Sequence, residues 1–180
     1  MLSIRYYGDP ILRKTAQRIE VFDNALHVFV QNMVEAMKAY DGVGLAAPQV
    51  GQSIRCVVID TTGGAEKPLV LINPEFTFMS QETAQHEEGC LSFPDLDLKV
   101  TRPAIVSVKA YDTDGKEFTV ENAQDLLSRA LQHEIDHLNG IMIIDHVSLL
   151  QRKLHKRKLK KISEQNNSEP ESNIPSENKL

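Results

Sequence analysis

The segment Gln132-His133-Glu134-Ile135-Asp136-His137 decides how this sequence is interpreted. It lies within a stretch, 122–139, that has the apolar spacing and the flanking residues of a helix. Histidines four residues apart lie one turn apart on the same helical face, so both imidazoles can reach a single metal ion. The Glu between them lies close enough to act on a water at that ion, as in the His-Glu-x-x-His pattern of metalloproteases. The segment therefore predicts a metal centre with two His ligands and Glu134 as its acid/base.

The third ligand of this centre has to come from upstream of the helix. A catalytic ion needs three protein ligands and an open position. Metzincin proteases place a third His six residues after the second, where this chain has Ile143. Other metalloproteases use a Glu further downstream, but the first Glu after the helix is Glu164, at the edge of the low-complexity tail. Neither solution fits. Cys90 is the best remaining candidate, because a thiolate is a strong ligand and Gly89 allows a close backbone approach. A buried, inert thiol is the alternative for Cys90 taken alone, and His86 is a weaker candidate. Mixed thiolate and imidazole ligands suit Zn²⁺, Fe²⁺ or Ni²⁺.

The rest of the chain predicts an α+β fold. A first helix is expected from Asp23, its capping residue, to Tyr40. Strands are expected over Arg55–Asp60, Leu69–Ile72, Ile105–Tyr111 and Glu117–Val120, the last two as a hairpin. Because these strands stand between two helices without regular βαβ alternation, we expect mostly antiparallel sheets around the central metal-binding helix, with a further C-terminal helix.

Charge and composition divide the chain into three parts. The 180 residues carry a net charge of −5 and correspond to about one domain, expected over residues 1–150. Residues 151–162 hold seven basic and no acidic residues, which predicts a basic C-terminal helix extension. Residues 163–180 are rich in Ser, Asn, Glu and Pro, which predicts a disordered acidic tail. No apolar run approaches the roughly 18 residues of a membrane span and the N-terminus lacks a signal-peptide pattern, so we expect a cytoplasmic protein with no membrane association.

The segment Gly42-Val43-Gly44-Leu45-Ala46-Ala47-Pro48-Gln49 superficially resembles a dinucleotide fingerprint. That fingerprint must follow a strand and open a helix, whereas this segment follows a predicted helix and contains Pro48. Dinucleotide binding is therefore rejected. Apart from a purely structural loop, the small residues beside one Gln indicate backbone pressed close to a ligand, with one side-chain amide aimed at it.

Three segments together resemble the signature motifs of the peptide deformylase family: GVGLAAPQ (42–49), EGCLS (88–92) and QHEIDH (132–137). Each motif alone is moderately specific, and the three in this order and spacing are highly specific. The resemblance covers about residues 5–150, including the opening Asp9-Pro10-Ile11-Leu12-Arg13. It implies hydrolysis of the formyl group from the N-terminal formyl-methionine of newly made bacterial polypeptides, with release of formate. It further implies one divalent ion per chain, Fe²⁺ in the cell, with zinc often replacing it after purification.

The resemblance also implies roles for single residues. Cys90, His133 and His137 are implied as ligands, Glu134 as general base and then acid, and Gln49 with the Leu91 backbone N–H as oxyanion donors. Gly44 is implied to contact the substrate main chain.

A methionine pocket beside the ion is also expected. Leu126 and Ala130 share one helical face with the two histidines, and Val43 or Leu45 could close the other side. The plainer interpretation is that these residues are simply core. Whether Arg129, at the rim of that face, touches substrate is left open.

Residues 151–162 raise a question about partners. A solvated charged helix is one interpretation, and a phosphate-binding surface is the other. Because some deformylases dock on the ribosome through a basic C-terminal helix, the resemblance predicts weak, salt-sensitive ribosome binding through this segment. Two other functions remain as alternatives, a zinc endopeptidase and an RNA-binding module with a structural metal site.

Overall fold

A computed structural model of the chain describes residues 2–166. Within these residues the helices are α1 Asn24–Ala39, α2 Asp125–Leu138, α3 Leu149–Leu154 and α4 Lys156–Gln165. The strands are β1 Gly44–Ala46, β2 Cys56–Ile59, β3 Leu69–Met79, β4 Thr83–Glu88, β5 Leu98–Pro103, β6 Val106–Tyr111 and β7 Glu117–Ala123. Short 3₁₀ turns cover Pro10–Arg13, Ala47–Val50 and Ile143–His146.

The strands form two antiparallel sheets. The larger sheet has the order β1-β2-β3-β6-β7, and the smaller one pairs β4 with β5. Every strand pair is antiparallel. This arrangement confirms the predicted α+β class, including the C-terminal helix.

The larger sheet lies between α1 and α2. Alternate residues of a strand point to opposite faces, and β2 shows the division most clearly. Val57 and Ile59 pack in the core cluster that contains the apolar residues of α2. Cys56 and Val58 pack in the cluster that contains the buried face of α1. One face of the sheet therefore packs against α2, and α1 covers the opposite face.

Helix α2 begins three residues later than the predicted position 122, because β7 continues to Ala123 and pairs there with Val106. It ends at Leu138 and is followed by Gly140, whose φ of +72° favours glycine. A side chain at Gly140 would also place its Cβ 2.6 Å from the Arg13 carbonyl oxygen. The end of α2 is thus packed directly against the N-terminal part of the chain.

The C-terminal region differs from the prediction in two respects. The expected single helix is divided at His155, which leaves helical geometry with φ −90° and ψ 2°. The predicted tail start at residue 163 is wrong for residues 163–165, which continue α4 as far as Gln165. Residue 166 is also ordered, because the side-chain amide of Asn166 bonds to the backbone of Tyr6. The rest of the predicted tail, 167–180, lies outside the described residues.

Within residues 2–166, no helix has both the length and the apolar character needed to cross a membrane.

Candidate metal centre

Helix α2 buries three chemically active side chains on one face. His133, Glu134 and His137 are 8%, 4% and 1% exposed. The Nε2 atoms of the two histidines lie 3.3 Å apart, as their four-residue spacing predicts. Burying so much polar surface in a helix is unfavourable unless the groups find partners, which marks this face as functional.

Cys90 completes the group from the loop that follows β4. Its Sγ lies 3.3 Å from His137 Nε2, and one potential ligand atom from each of Cys90, His133 and His137 lies within 4.8 Å of the other two. A soft thiolate with two imidazoles is a donor set that binds divalent transition metals well, so these residues fit a metal ion. His86, the weaker candidate, is exposed on β4 and does not belong to the group.

The surroundings of the two histidines push their pKa values apart. Burial alone would lower the pKa of His133, but the adjacent Cys90 sulfur and the Glu88 carboxylate raise it well above 6.5. Burial lowers the pKa of His137 well below 6.5, and the neighbouring His133 acts in the same direction. In the metal-free site, the two imidazoles therefore differ strongly in their affinity for a proton.

Glu134 is poised for proton transfer. Burial raises the pKa of this carboxyl to about 7, and its Oε2 atom is buried without a hydrogen-bond partner. Gly44 of β1 leaves the space that Glu134 occupies, since a Cβ there would lie 2.9 Å from the Glu134 Cγ. The structure thus gives Gly44 a contact, with Glu134, that the sequence did not indicate.

Gln49 turns its side-chain amide toward the Cys90 sulfur. Its Oε1 accepts a hydrogen bond from the Ala46 N–H at 2.8 Å, which fixes the orientation of the amide. Its Nε2 then lies 3.6 Å from Cys90 Sγ and 3.3 Å from Ser92 Oγ. Leu91, the other predicted oxyanion donor, lines the same cavity. Both donors thus lie beside the three clustered residues.

A cavity of about 530 Å³ opens onto this group. The predicted pocket residues Val43, Leu126 and Ala130 line it. Leu45, the alternative to Val43, is fully buried in the core beside α1 and does not line the cavity. Arg129 does line the cavity, but its guanidinium donates to Glu88 and to two backbone carbonyls of the smaller sheet.

A buried ionic network that was not predicted from the sequence lies behind the ligands. Glu88 accepts hydrogen bonds from Arg102 at 2.6 and 3.0 Å and lies 3.1 Å from His133 Nδ1. Arg102 also donates to Asp136 at 2.7 Å, and Asp136 lies 2.7 Å from His146 Nε2. The available signal was the acidic residue two positions before Cys90, a spacing that points both side chains to one side of an extended segment.

The match to known proteins decides the family. The family model of polypeptide deformylase matches residues 1–153. The chain belongs to the polypeptide deformylase family. A peptide deformylase from Thermotoga maritima is 45% identical over 163 residues, which are 91% of this chain and 97% of that protein. One from Bartonella tribocorum is 43% identical over 173 residues, 94% of this chain and 97% of that protein.

Solved deformylase structures have the same fold. A peptide deformylase from Legionella pneumophila superposes with a TM-score of 0.86 at 40% identity, covering 94% of this chain and 99% of that one. A plant peptide deformylase gives a TM-score of 0.87 at 36% identity, with 91% and 90% covered. Membership of the deformylase family confirms the predicted enzyme class and function, a hydrolase that removes N-terminal formyl groups from nascent polypeptides. The family depends on a metal, and Cys90, His133 and His137 are the residues that could bind it.

Proposed function

We propose that Cys90, His133 and His137 hold one divalent ion, Fe²⁺ in the cell, at which formyl-methionine at the start of a nascent chain is hydrolysed to formate and a free amine. The observation that carries this proposal is the convergence of the three donor atoms beside a buried carboxylate. An ion bound there supplies Lewis acidity, which polarises the formyl carbonyl and makes water a better nucleophile. Zn²⁺ and Ni²⁺ suit the same donor set.

Glu134 acts first as base and then as acid. Without an ion, burial raises its pKa to about 7, and a cation bound beside it would favour the carboxylate, the form that accepts a proton from water. Oε2 has no hydrogen-bond partner that would compete for the proton. Glu134 takes a proton from the attacking water and passes it to the amine nitrogen as the C–N bond of the formamide breaks.

Gln49 and the Leu91 backbone N–H stabilise the negative charge that builds up on the formyl oxygen. The Gln49 amide is held by the Ala46 N–H and needs no reorganisation when the charge develops. One such donor contributes roughly 3–4 kcal/mol of transition-state stabilisation. Gly44, at the start of β1, lies beside Glu134, where its backbone can pair with the substrate main chain.

The methionine side chain occupies the apolar part of the cavity. Val43 and Leu126 are 40% and 50% exposed, and Ala130 is 8% exposed. Large apolar side chains that remain half-exposed at the edge of a cavity gain free energy when a ligand covers them. These three residues support a pocket for an unbranched apolar side chain.

Residues 151–162 bind the ribosome weakly, and the enzyme works in the cytoplasm. Helices α3 and α4 display most of the basic side chains of this segment at the surface, a charge distribution suited to RNA phosphates. Replacing Lys156, Arg157 and Lys160 by Gln should reduce co-sedimentation with ribosomes in low salt by several-fold. Unchanged sedimentation would exclude this docking mode.

The central test compares formate release from formyl-Met-Ala-Ser by wild type and by Glu134→Gln. The variant should retain the metal, measured by elemental analysis, and lose activity by about 10²–10⁴-fold. Glu35→Gln, on an exposed position of α1, serves as the matched control and should keep full activity. Cleavage of internal peptide bonds with no formate release would instead favour an endopeptidase.

A further inference from the structure

A continuous series of polar contacts leads from the protein surface to the metal centre. It begins at His146, at the end of the 3₁₀ turn that follows α2, whose Nε2 lies 2.7 Å from Asp136 Oδ2. The same Asp136 oxygen accepts from Arg102 Nη1 at 2.7 Å. Arg102 also donates to Glu88, which faces His133 Nδ1. We refer to His146, Asp136, Arg102 and Glu88 as the support network.

The side chains of the support network become more buried toward His133. His146 and Asp136 have side chains that are 28% and 18% exposed, whereas those of Arg102 and Glu88 are 5% and 4% exposed. Buried charges are costly unless they are paired and fully hydrogen-bonded. Because water does not readily replace a lost partner in the buried part, a change in one contact affects the next.

Arg102 fixes the oxygen that faces His133. Glu88 Oε1 accepts from both Arg129 and Arg102. The other oxygen, Glu88 Oε2, faces His133 at 3.1 Å and accepts from Arg102 Nη2 at 3.0 Å. The guanidinium is planar, so a movement of Nη1, which Asp136 holds, also displaces Nη2. The position of Asp136 is therefore transmitted to the carboxylate oxygen beside His133.

His146 holds Asp136 from the side opposite to this ion pair. A carboxylate paired with a guanidinium can only accept, so the His146 Nε2 carries a proton and donates it. The backbone that carries His146 is packed, because Ile144 and Val147 on either side are 3% and 7% exposed. His146 does not line the substrate cavity, so an effect on the centre has to pass through Asp136.

We propose that His146 is a positioning residue of the metal centre, which acts through the support network to hold the His133 imidazole in the orientation that binds the ion. The inference rests on the proposed function, because it requires His133 to be a ligand. Groups that orient a ligand directly affect metal affinity by about 10–100-fold. Because His146 acts through three intervening residues, we expect a smaller effect, about three- to tenfold.

The test compares His146→Ala, which removes the donor, with His146→Gln, whose amide can still donate to Asp136. Competition with a chelating dye measures the Zn²⁺ affinity of the metal-free proteins. His146→Ala should bind Zn²⁺ about three- to tenfold more weakly than wild type, and His146→Gln should recover most of the loss. The visible absorption bands of the Co²⁺-loaded proteins report ligand geometry, and they should shift in His146→Ala but not in His146→Gln.

His27→Ala is the matched control. It also removes a His–Asp contact, from His27 Nε2 to Asp114 Oδ1 at 3.0 Å, but neither of these residues lines the cavity or belongs to the support network. This variant should bind Zn²⁺ and absorb as Co²⁺ protein like wild type. Formate release from formyl-Met-Ala-Ser should show a lower kcat with an unchanged KM in His146→Ala alone.

The outcomes separate the two proposals. Equal Zn²⁺ affinity and equal Co²⁺ spectra in wild type and His146→Ala would overturn the role of His146 while the metal centre stands. The same loss in His146→Gln or in His27→Ala would also overturn it, because the loss would not follow the hydrogen bond to Asp136. Absence of metal binding in wild type, or unchanged affinity in Cys90→Ala, would overturn the proposed centre and this inference with it.

Discussion

At the scale of single residues, the three candidate ligands are held in place by residues outside their group. Glu88 is 5% exposed and faces His133 Nδ1 at 3.1 Å. Burial alone would raise the pKa of Glu88, but hydrogen bonds with His133 and Arg102 outweigh it and hold the pKa well below its usual range. An ionised Glu88 therefore accepts the Nδ1–H of His133 and directs the opposite ring nitrogen at the ligand position.

Replacing Glu88 by Gln should weaken metal binding without removing a ligand. The neutral amide holds the His133 ring less firmly and leaves Arg102 short of one charge partner. We expect about 10–100-fold lower metal affinity, measured by competition with a chelating dye, together with reduced thermal stability. Glu35→Gln is the control and should bind metal like wild type. Equal affinity in Glu88→Gln would mean that packing alone orients the histidine.

A second prediction concerns Gly44. An Ala at this position would place its Cβ 2.9 Å from Glu134 Cγ, closer than such atoms approach, so the Glu134 side chain has to move. Because a misplacement of about 1 Å at a reacting group can cost about 10²-fold in rate, we expect a comparable fall in kcat with the metal content retained. Gly63→Ala is the control for kcat: a Cβ there meets nothing within 4 Å, and although its φ of +65° makes the change cost some stability, Gly63 does not line the cavity, so kcat should persist. Full activity in Gly44→Ala would show that Glu134 tolerates the shift.

At the scale of secondary-structure elements, α4 belongs to the same packed unit as the site. Leu159 and Ile162 are buried in one cluster with Phe93, and Phe93 lines the cavity. The side chain of Asn166 accepts from the Tyr6 N–H at 3.0 Å and donates to the Tyr6 and Tyr7 carbonyls at 3.0 and 3.1 Å. The C-terminal helix thereby supports one wall of the substrate cavity, although its charge pattern predicted only a basic extension of the domain.

Truncating the buried side chain of Ile162 tests this support. Ile162→Ala should lower the free energy of unfolding by about 2–5 kcal/mol, measured in urea. It should also raise KM for the formylated peptide more than it lowers kcat, because the cluster that loses volume contains Phe93 of the cavity wall, whereas His133, Glu134 and His137 are held on α2. Lys160→Ala, an exposed change on the same helix, should do neither. An unchanged KM alongside lower stability would show that α4 stabilises the fold without shaping the substrate cavity.

Elements with a strong local signal were predictable from the sequence, and those without one were not. Asp23 caps α1 with a 2.9 Å hydrogen bond to the Leu26 N–H, so the helix start was evident. The smaller sheet was missed because β4, Thr83–Glu88, has almost no apolar side chains and β5, Leu98–Pro103, buries Arg102 where an alternating pattern calls for an apolar residue. The ligand spacing is local, whereas the partners of Glu88 come from distant segments, and only the fold brings them together.

At the scale of the whole molecule, the centre joins two parts of the fold. Cys90 follows the smaller sheet, whereas His133 and His137 belong to the helix that packs on the larger sheet. An ion held by all three would cross-link the two parts, so its removal should lower the free energy of unfolding. Metal-free protein also retains a buried carboxyl, Glu134, whose Oε2 has no hydrogen-bond partner, and this makes its stability depend on pH.

The sign of that dependence follows from the pKa of Glu134, which is 4.5 in a model compound and about 7 in the fold. Between these values the folded protein keeps a proton that the unfolded chain releases, so raising the pH through pH 4.5–7 destabilises metal-free protein, by roughly 3 kcal/mol in total. Glu134→Gln cannot ionise and should match wild type at pH 4 but exceed it by about that amount at pH 8. Urea unfolding of both metal-free proteins at several pH values measures the difference. Adding Zn²⁺ should reduce it, because a nearby cation favours the ionised carboxylate. Parallel stability curves across pH 4–8 would show that Glu134 ionises as easily in the fold as in the unfolded chain.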